Sequence, residues 1–168
     1  MKPDPLQMNA NGTHSCVLAG IITQTTGPVL ELGIGHYSTP LIHFMCRNRP
    51  VLSVESDREW MQFYANSFKN GCHDFQCFDR VSSIFEMEQY KDLQWDVAFV
   101  DHSPSEDRRV CVESLRTRAK YIVVHDSEPL AVVYKWDGIF ETFKYKYYWD
   151  FFGNGTTVVS DICQIELE

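Results

Sequence analysis

No apolar run in the 168 residues approaches the roughly 20 needed to cross a bilayer, so the sequence offers no membrane-spanning helix. The opening "MKPDPLQMNANG" lacks the apolar centre of a secretory leader and reads as a loose segment over residues 1–12. Basic residues are scarce: 15 Lys and Arg stand against 23 Asp and Glu, a formal net charge of −8. Without clustered cations to meet phosphates, the balance argues against general nucleic-acid binding. No two of the six cysteines form a Cys-x-x-Cys pair, and the tightest, Cys72 and Cys77, have no His or Cys cluster nearby to complete a zinc site. That usage implies a reduced, cytoplasmic protein with mostly buried thiols, in which the "NGT" sequons at 11–13 and 154–156 carry no meaning.

The chain has the length of one domain, expected over residues 13–168, with a single core. Short apolar runs alternate with helical patterns, which predicts βαβ units and a mostly parallel sheet. The runs are "PVLELG" (28–33), "VLSVES" (51–56), "DFQCF" (74–78), "WDVAFVD" (95–101) and "YIVVHD" (121–126). Helices are expected over about 13–25, after Thr39-Pro40, after the capping box Ser56–Glu59, after Ser103–Glu106 and, less regularly, over 128–142. Leu41, Ile42, Phe44 and Met45, then Trp60, Phe63, Tyr64 and Phe68, form apolar stripes read as core. Residues 143–151 and 156–162, joined through Asn154-Gly155, read as an antiparallel hairpin closing the sheet.

The turn after the first strand, Gly33-Ile-Gly35-His-Tyr-Ser38, has serine where a dinucleotide fingerprint needs its third glycine. Glu31, before the first glycine, would repel a pyrophosphate and attract a cation. A positively charged ligand fits this turn better than a dinucleotide, which disfavours a nicotinamide-dependent oxidoreductase.

With "ELGIG" the sequence resembles the class I S-adenosylmethionine-dependent methyltransferases, whose first motif is an acidic residue followed by Gly-x-Gly. The likeness runs in order over about residues 13–162. It implies a Rossmann-like α/β three-layer sandwich with a mostly parallel seven-stranded sheet closed by the C-terminal hairpin. It also implies that Glu31, Gly33, Gly35 and the backbone of His36 hold the methionine end, and that Glu55, with Ser56 beside it, takes the ribose hydroxyls. Asp79 would meet the adenine amine, and Asp101 would close the site from the fourth strand.

Base amino-methyltransferases usually carry Asn/Asp-Pro-Pro-aromatic after the fourth strand; this chain has Asp101-His-Ser-Pro104. "FVDHSPSEDRR" and "YIVVHDSE" look more like the metal-assisted catechol-type O-methyltransferases, which would place Mg²⁺ on Asp101, Asp126 and Ser127. A metal-free version uses His102 or His125 as general base, each beside an aspartate, with His102 expected to face the cleft ahead of the next helix. Arg108 or Arg109 would grip an anionic acceptor or lie on a solvated face; Asn11, Thr13 and His14 would form a lid. Trp136, Tyr147, Tyr148 and Trp149 would line an acceptor pocket, pack on the sheet or meet a second copy of the chain. The expected acceptor is a small molecule or glycan hydroxyl, in an open site or one completed by a second subunit of a homo-oligomer. The alternative is a protein of this fold that binds or senses S-adenosylmethionine without transferring methyl.

Overall fold

The computed structural model describes residues 10–128, 134, 136, 138–151 and 153–167. Its elements are α1 (Ser15–Thr23), β1 (Val29–Leu32), α2 (Ser38–Met45), β2 (Val51–Glu55), α3 (Arg58–Phe68), β3 (His73–Cys77), β4 (Trp95–Val100), α4 (Glu106–Leu115), β5 (Ala119–His125), β6 (Tyr145–Trp149) and β7 (Thr156–Ser160). The seven strands form one sheet in the order β3-β2-β1-β4-β5-β7-β6. β1 to β5 run parallel, and β7 is antiparallel to both β5 and β6. Strand order reverses between β1 and β4, which makes their carboxyl ends the switch point where an open sheet leaves a crevice.

Alternation along the central strands builds two cores. Leu30, Leu32, Ala98, Val100, Ile122 and Val124 face α4, whose Cys111, Val112 and Leu115 cover them. Val29, Val97, Phe99 and Val123 face the other way, onto Val17, Leu18, Ile21 and Ile22 of α1 and Ile42 of α2. Met61 and Tyr64 of α3 pack with Ile34 and Phe75. Strands covered on both faces need near-continuous apolar sequence, and burying each such side chain contributes about 1.5–3 kcal/mol. Glu31 interrupts this pattern on the α1–α2 side and is fully buried.

Several local expectations are corrected. Thr39 does not cap α2, which starts at Ser38 without a side-chain cap; its hydroxyl is engaged with Glu31 instead. α3 is capped by Asp57, whose carboxylate accepts from Trp60 N at 2.9 Å, and not by Ser56. α4 begins at Glu106 with no side-chain cap from Ser105. The stripes are only partly core: Ile42 and Tyr64 are buried, whereas Phe44, Met45, Trp60 and Phe63 are exposed, because short surface helices bury about one residue per turn. The register pairs Trp149 with Thr156, so the hairpin loop spans 150–155; its left-handed residue is Gly153 (φ 121°), not Asn154-Gly155. The helix expected over 128–142 lies partly outside the described residues, as does the loose segment up to residue 9; Ile139–Thr142 is a 3-10 turn and Ala10–Gly12 another. All six thiols are free, but only Cys46 and Cys111 are buried, while Cys16 and Cys72 are exposed. Among the described residues no helix is long and apolar enough to cross a membrane.

Candidate functional site

The glycine turn is shaped by the protein's own backbone. Gly33 has φ 99°, and a Cβ there would lie 2.5 Å from the Asp101 carbonyl carbon. Only glycine permits both the left-handed angle and this approach of the β1 turn to the end of β4. Gly35 is different: the nearest atom to a Cβ there is Ser38 Oγ, at 3.3 Å, and the residue faces open space.

Beneath the turn lies a hydrogen-bonded chain. Gly35 N donates to Thr39 Oγ1 (3.0 Å), which donates to Glu31 Oε1 (2.9 Å). Ser53 Oγ donates to Glu31 Oε2 (2.5 Å) and pairs with His73 Nε2 (2.8 Å), and His73 Nδ1 meets His43 Nδ1 (3.1 Å). Burial raises the Glu31 carboxyl to about 7, against the pull of the hydroxyls that bond it. Burial lowers His73 to about 4, helped by the neighbouring His43. Glu31 therefore supports the turn from behind and does not reach the cavity, since its register position faces α2.

At the ends of β4 and β5 four charged groups converge. Arg108, on the first turns of α4, places Nη2 3.0 Å from Asp101 Oδ1 and Nη1 3.4 Å from Asp126 Oδ2. Its Nε donates to the His102 carbonyl (2.6 Å), and the guanidinium lies 4.6 Å from the Tyr134 ring centroid. His125 Nδ1 is 3.3 Å from Asp101 Oδ2 and 3.6 Å from Asp126 Oδ1. Asp126 also accepts from Tyr134 OH (2.8 Å) and Asn154 Nδ2 (2.6 Å). Burial lowers the His125 pKa, but the two carboxylates outweigh it and the net shift is upward. Burial likewise raises Asp126, but His125 and its hydrogen-bond donors hold it below the usual carboxylate range. Asp126 has φ 52°, a left-handed angle that suspends strand alternation, so His125 and Asp126 turn to the same side.

A cavity of about 290 Å³ lies between these groups and the turn. Of the site residues expected from sequence it brings together Gly35, His36, Asp101, His125 and Asp126. His36 is held by a 2.5 Å hydrogen bond between its Nδ1 and Tyr64 OH, and by edge contact with Trp60. Glu55 sits outside the cavity wall at the end of β2, accepting from Ile34 N (3.0 Å), Ser56 N (2.7 Å) and Asp57 N (3.2 Å). Ser56 donates to Glu55 and to the Ser103 carbonyl, and Asp79 is exposed beyond β3. His102 does not face the cleft. Consecutive extended residues point to opposite faces, so with Asp101 outward the His102 ring turns inward beside Asp107 and Cys111. Among the described residues its two nitrogens find no partner of good hydrogen-bond geometry, only the adjacent Ser103 backbone, and burial lowers its pKa to about 4.

The expected Mg²⁺ site does not fit. Asp101 and Asp126 converge, but on Arg108, whose guanidinium already supplies the positive charge between them. Ser127 faces away, its Oγ accepting from Thr157 Oγ1 at 2.7 Å. Trp136 donates to the Asp126 carbonyl from within the core, while Tyr147 and Trp149 pack over the α1 side of the sheet.

The stripe pattern places Trp60 in the core, and the sequence leaves Arg108 on an acceptor or in solvent. Trp60 lines the cavity with its Nε1 donating to Ile34 O (2.8 Å), and Arg108 is buried. Nothing in the sequence singles out Tyr134. Two arginines in series at a helix start give no signal as to which one turns inward. Asn11 and His14 do reach the cavity wall, in the place expected of a lid. A larger open groove of about 570 Å³, lined by Thr26, Phe44, Arg47 and Asn48 among others, lies at the opposite end of the strands and holds no such cluster.

No protein-family profile matches the chain, and no curated protein matches it in sequence. Solved structures do match in fold. The O-methyltransferase TomG from Streptomyces achromogenes, involved in tomaymycin synthesis and solved with SAM, is 15% identical with a TM-score of 0.64, over 94% of this chain and 83% of that one. Human methyltransferase-like protein 13, solved with SAH, is 14% identical with a TM-score of 0.68, over 94% and 85%. The bifunctional kinase-methyltransferase WbdD is 13% identical with a TM-score of 0.60, over 92% of this chain and 40% of that one. The fold is that of the class I S-adenosylmethionine-dependent methyltransferases.

Proposed function

We propose that this chain, as one cytoplasmic domain, is an S-adenosylmethionine-dependent O-methyltransferase acting on a small-molecule or glycan hydroxyl. The observation that carries this reading is the cavity at the switch point, bounded by Gly35 and His36 on one side and by Asp101, His125 and Asp126 on the other. In this assignment the turn holds the methionine end through backbone amides. The sequence likeness adds Glu55, with Ser56 beside it, for the ribose hydroxyls and Asp79 for the adenine amine; both lie beyond that cavity, and the Glu55 carboxylate would take the ribose while keeping its bonds from the Ile34, Ser56 and Asp57 amides. A sulfonium is favoured beside carboxylates, and a buried site strengthens that attraction.

Transfer requires the acceptor oxygen in line with the S–CH₃ bond. The O–C bond forms as the C–S bond breaks, its electron pair stays on sulfur, and S-adenosylhomocysteine leaves. The acceptor proton passes to the carboxylate–imidazole wall, where Asp101 is more exposed than His125 or Asp126. The runner-up reading, binding without transfer, draws on one feature: Arg108 already satisfies both Asp101 and Asp126.

Calorimetric titration with S-adenosylhomocysteine, with NAD as control, is expected to show one site for the former and none for the latter. Methyl transfer to a panel of phenolic and sugar hydroxyls separates the two readings. Asp101→Asn should retain S-adenosylhomocysteine affinity and lose turnover; a wild-type protein that binds but never transfers supports the binding-only reading.

A further inference from the structure

We propose that His14, Asp101 and His125 form a binding site for a divalent first-row metal ion of the Zn²⁺ type, with an open coordination position facing the cavity. One ligand atom from each residue lies within 4.8 Å of the others.

Thr13 Oγ1 donates to the Asn154 carbonyl (3.1 Å) and lies 2.9 Å from His125 Nε2, which turns Nδ1 towards a carboxylate oxygen, Asp101 Oδ2, at 3.3 Å. A ring carrying its only proton on Nε2 would set two acceptors against each other there, an arrangement that a cation between them resolves. Ligands ~2.0–2.1 Å from a tetrahedral ion are roughly 3.3–3.4 Å apart, which is the spacing of this pair.

His14 supplies the second observation. It is 1% exposed, neither of its ring nitrogens has a hydrogen-bond partner among the described residues, and its ring meets His125 edge-on with centroids 4.7 Å apart. Buried polar groups are almost always satisfied. A proton on His125 would settle its contact with Asp101 but leave His14 unexplained; a metal ion accounts for both.

The surroundings fit a first-row metal and not Mg²⁺. Two imidazoles and one carboxylate are the donors that Zn²⁺ and its neighbours select, while Mg²⁺ takes oxygen. Arg108 anchors the far oxygen of Asp101, and Thr13 orients His125 from its remote nitrogen, as outer partners of metal ligands do. His14, Asp101 and His125 all line the cavity, so the vacant position opens to a ligand oxygen there. The grouping of His102, Asp107 and Cys111 is no rival, because Asp107 already accepts from Arg80, Ser82 N and Ser82 Oγ. The site stands on its own geometry; contact with an acceptor oxygen rests on the methyl-transfer reading, and in a metal-loaded site the ion would acidify that oxygen in place of proton uptake by Asp101 or His125.

The test uses the full chain, stripped with a chelator and titrated with Co²⁺ alone in the absence of S-adenosylmethionine. One Co²⁺ per chain is expected, with the intense visible absorption of a four-coordinate site and displacement by Zn²⁺. The band should vanish in His14→Gln and persist in His43→Gln, with circular dichroism confirming that each variant folds. Should His14→Gln not fold, wild-type histidine ¹⁵N spectra replace it: Zn²⁺ is expected to shift the ring nitrogens of His14 and His125 together. Folded wild-type protein that takes up no stoichiometric Co²⁺, retention of the band in folded His14→Gln, or a His125 ring doubly protonated and unmoved by Zn²⁺ would each overturn the site. S-adenosylhomocysteine titration of the same samples tests the methyl-donor reading separately.

Discussion

Arg108 Nη2 lies 3.0 Å from Asp101 Oδ1, joining the first turns of α4 to the end of β4. Its other terminal nitrogen reaches Asp126 at 3.4 Å, so one cation ties together the two strand ends that frame the cavity. The arginine side chain is 6% exposed and the carboxylates 23% and 16%, which makes this a largely buried network.

Removing the cation leaves two carboxylates facing each other. Breaking a buried pair by deleting one partner costs about 3–5 kcal/mol, because the remaining charge is uncompensated. Arg108→Met is expected to lose stability on that order, read from urea denaturation. Millimolar Mg²⁺ should raise the melting temperature of this variant more than that of the wild type, since the ion restores positive charge between the carboxylates. An unchanged midpoint in Arg108→Met would show that the network is solvated.

Glu31 makes stability depend on pH. Its carboxyl titrates near 7 in the fold against an ordinary 4.5, because burial opposes ionisation. With the folded value raised, its contribution is fully present below about 4.5 and is lost as pH rises to about 7. His73, joined to Glu31 through Ser53, works in the other direction. Lowered by burial from 6.5 to about 4, it contributes stability that is lost as pH falls through that window. Glu31→Gln should therefore gain on the wild type as pH rises across the Glu31 window, on the order of 3 kcal/mol in total. Urea melts at about pH 5 and about pH 8 measure this; a difference that does not change with pH would place the Glu31 titration elsewhere.

The strand runs, the parallel order and the closing hairpin were legible because a sheet covered on both faces writes itself as apolar segments between turns. Gly33 and Gly35 marked the right turn, but the sequence does not distinguish a glycine that admits a ligand from one that admits its own β4 backbone. That Asp101 and Asp126 come to one cavity was legible because strand ends at the switch point must meet. What they meet was hidden, since Arg108 and Arg109 are identical in sequence and differ only in the face that α4 buries. The expectation that His102 faces the cleft is overturned for a related reason. Strand alternation hides His102 behind Asp101, whereas the left-handed angle at Asp126 keeps His125 in view, and no neighbouring residue announces that angle.

His102 offers a test of its exclusion from the site. A buried imidazole with no well-made hydrogen bond among the described residues is a desolvated polar group, and replacing it with an apolar side chain removes that cost. His102→Leu is expected to raise stability by about 1 kcal/mol, with S-adenosylhomocysteine affinity and any transfer rate unchanged. Loss of transfer in this variant, with affinity intact, would return His102 to the catalytic machinery.

The two glycines of the turn should part company on substitution. At Gly33 an alanine meets a left-handed φ, which costs of order 1–3 kcal/mol, and a Cβ 2.5 Å from the Asp101 carbonyl carbon. Backbone cannot swing away as a side chain can, so overpacking adds about 1–3 kcal/mol more. Gly33→Ala should therefore fold poorly or not at all. At Gly35 the added methyl comes only to 3.3 Å from Ser38 Oγ and projects into the cavity. Gly35→Ala should keep the wild-type circular dichroism spectrum and melting temperature while weakening S-adenosylhomocysteine binding. Undiminished binding in Gly35→Ala would mean that the methionine end of the cofactor does not approach this turn, and would remove the cavity beside it from the account of the cofactor.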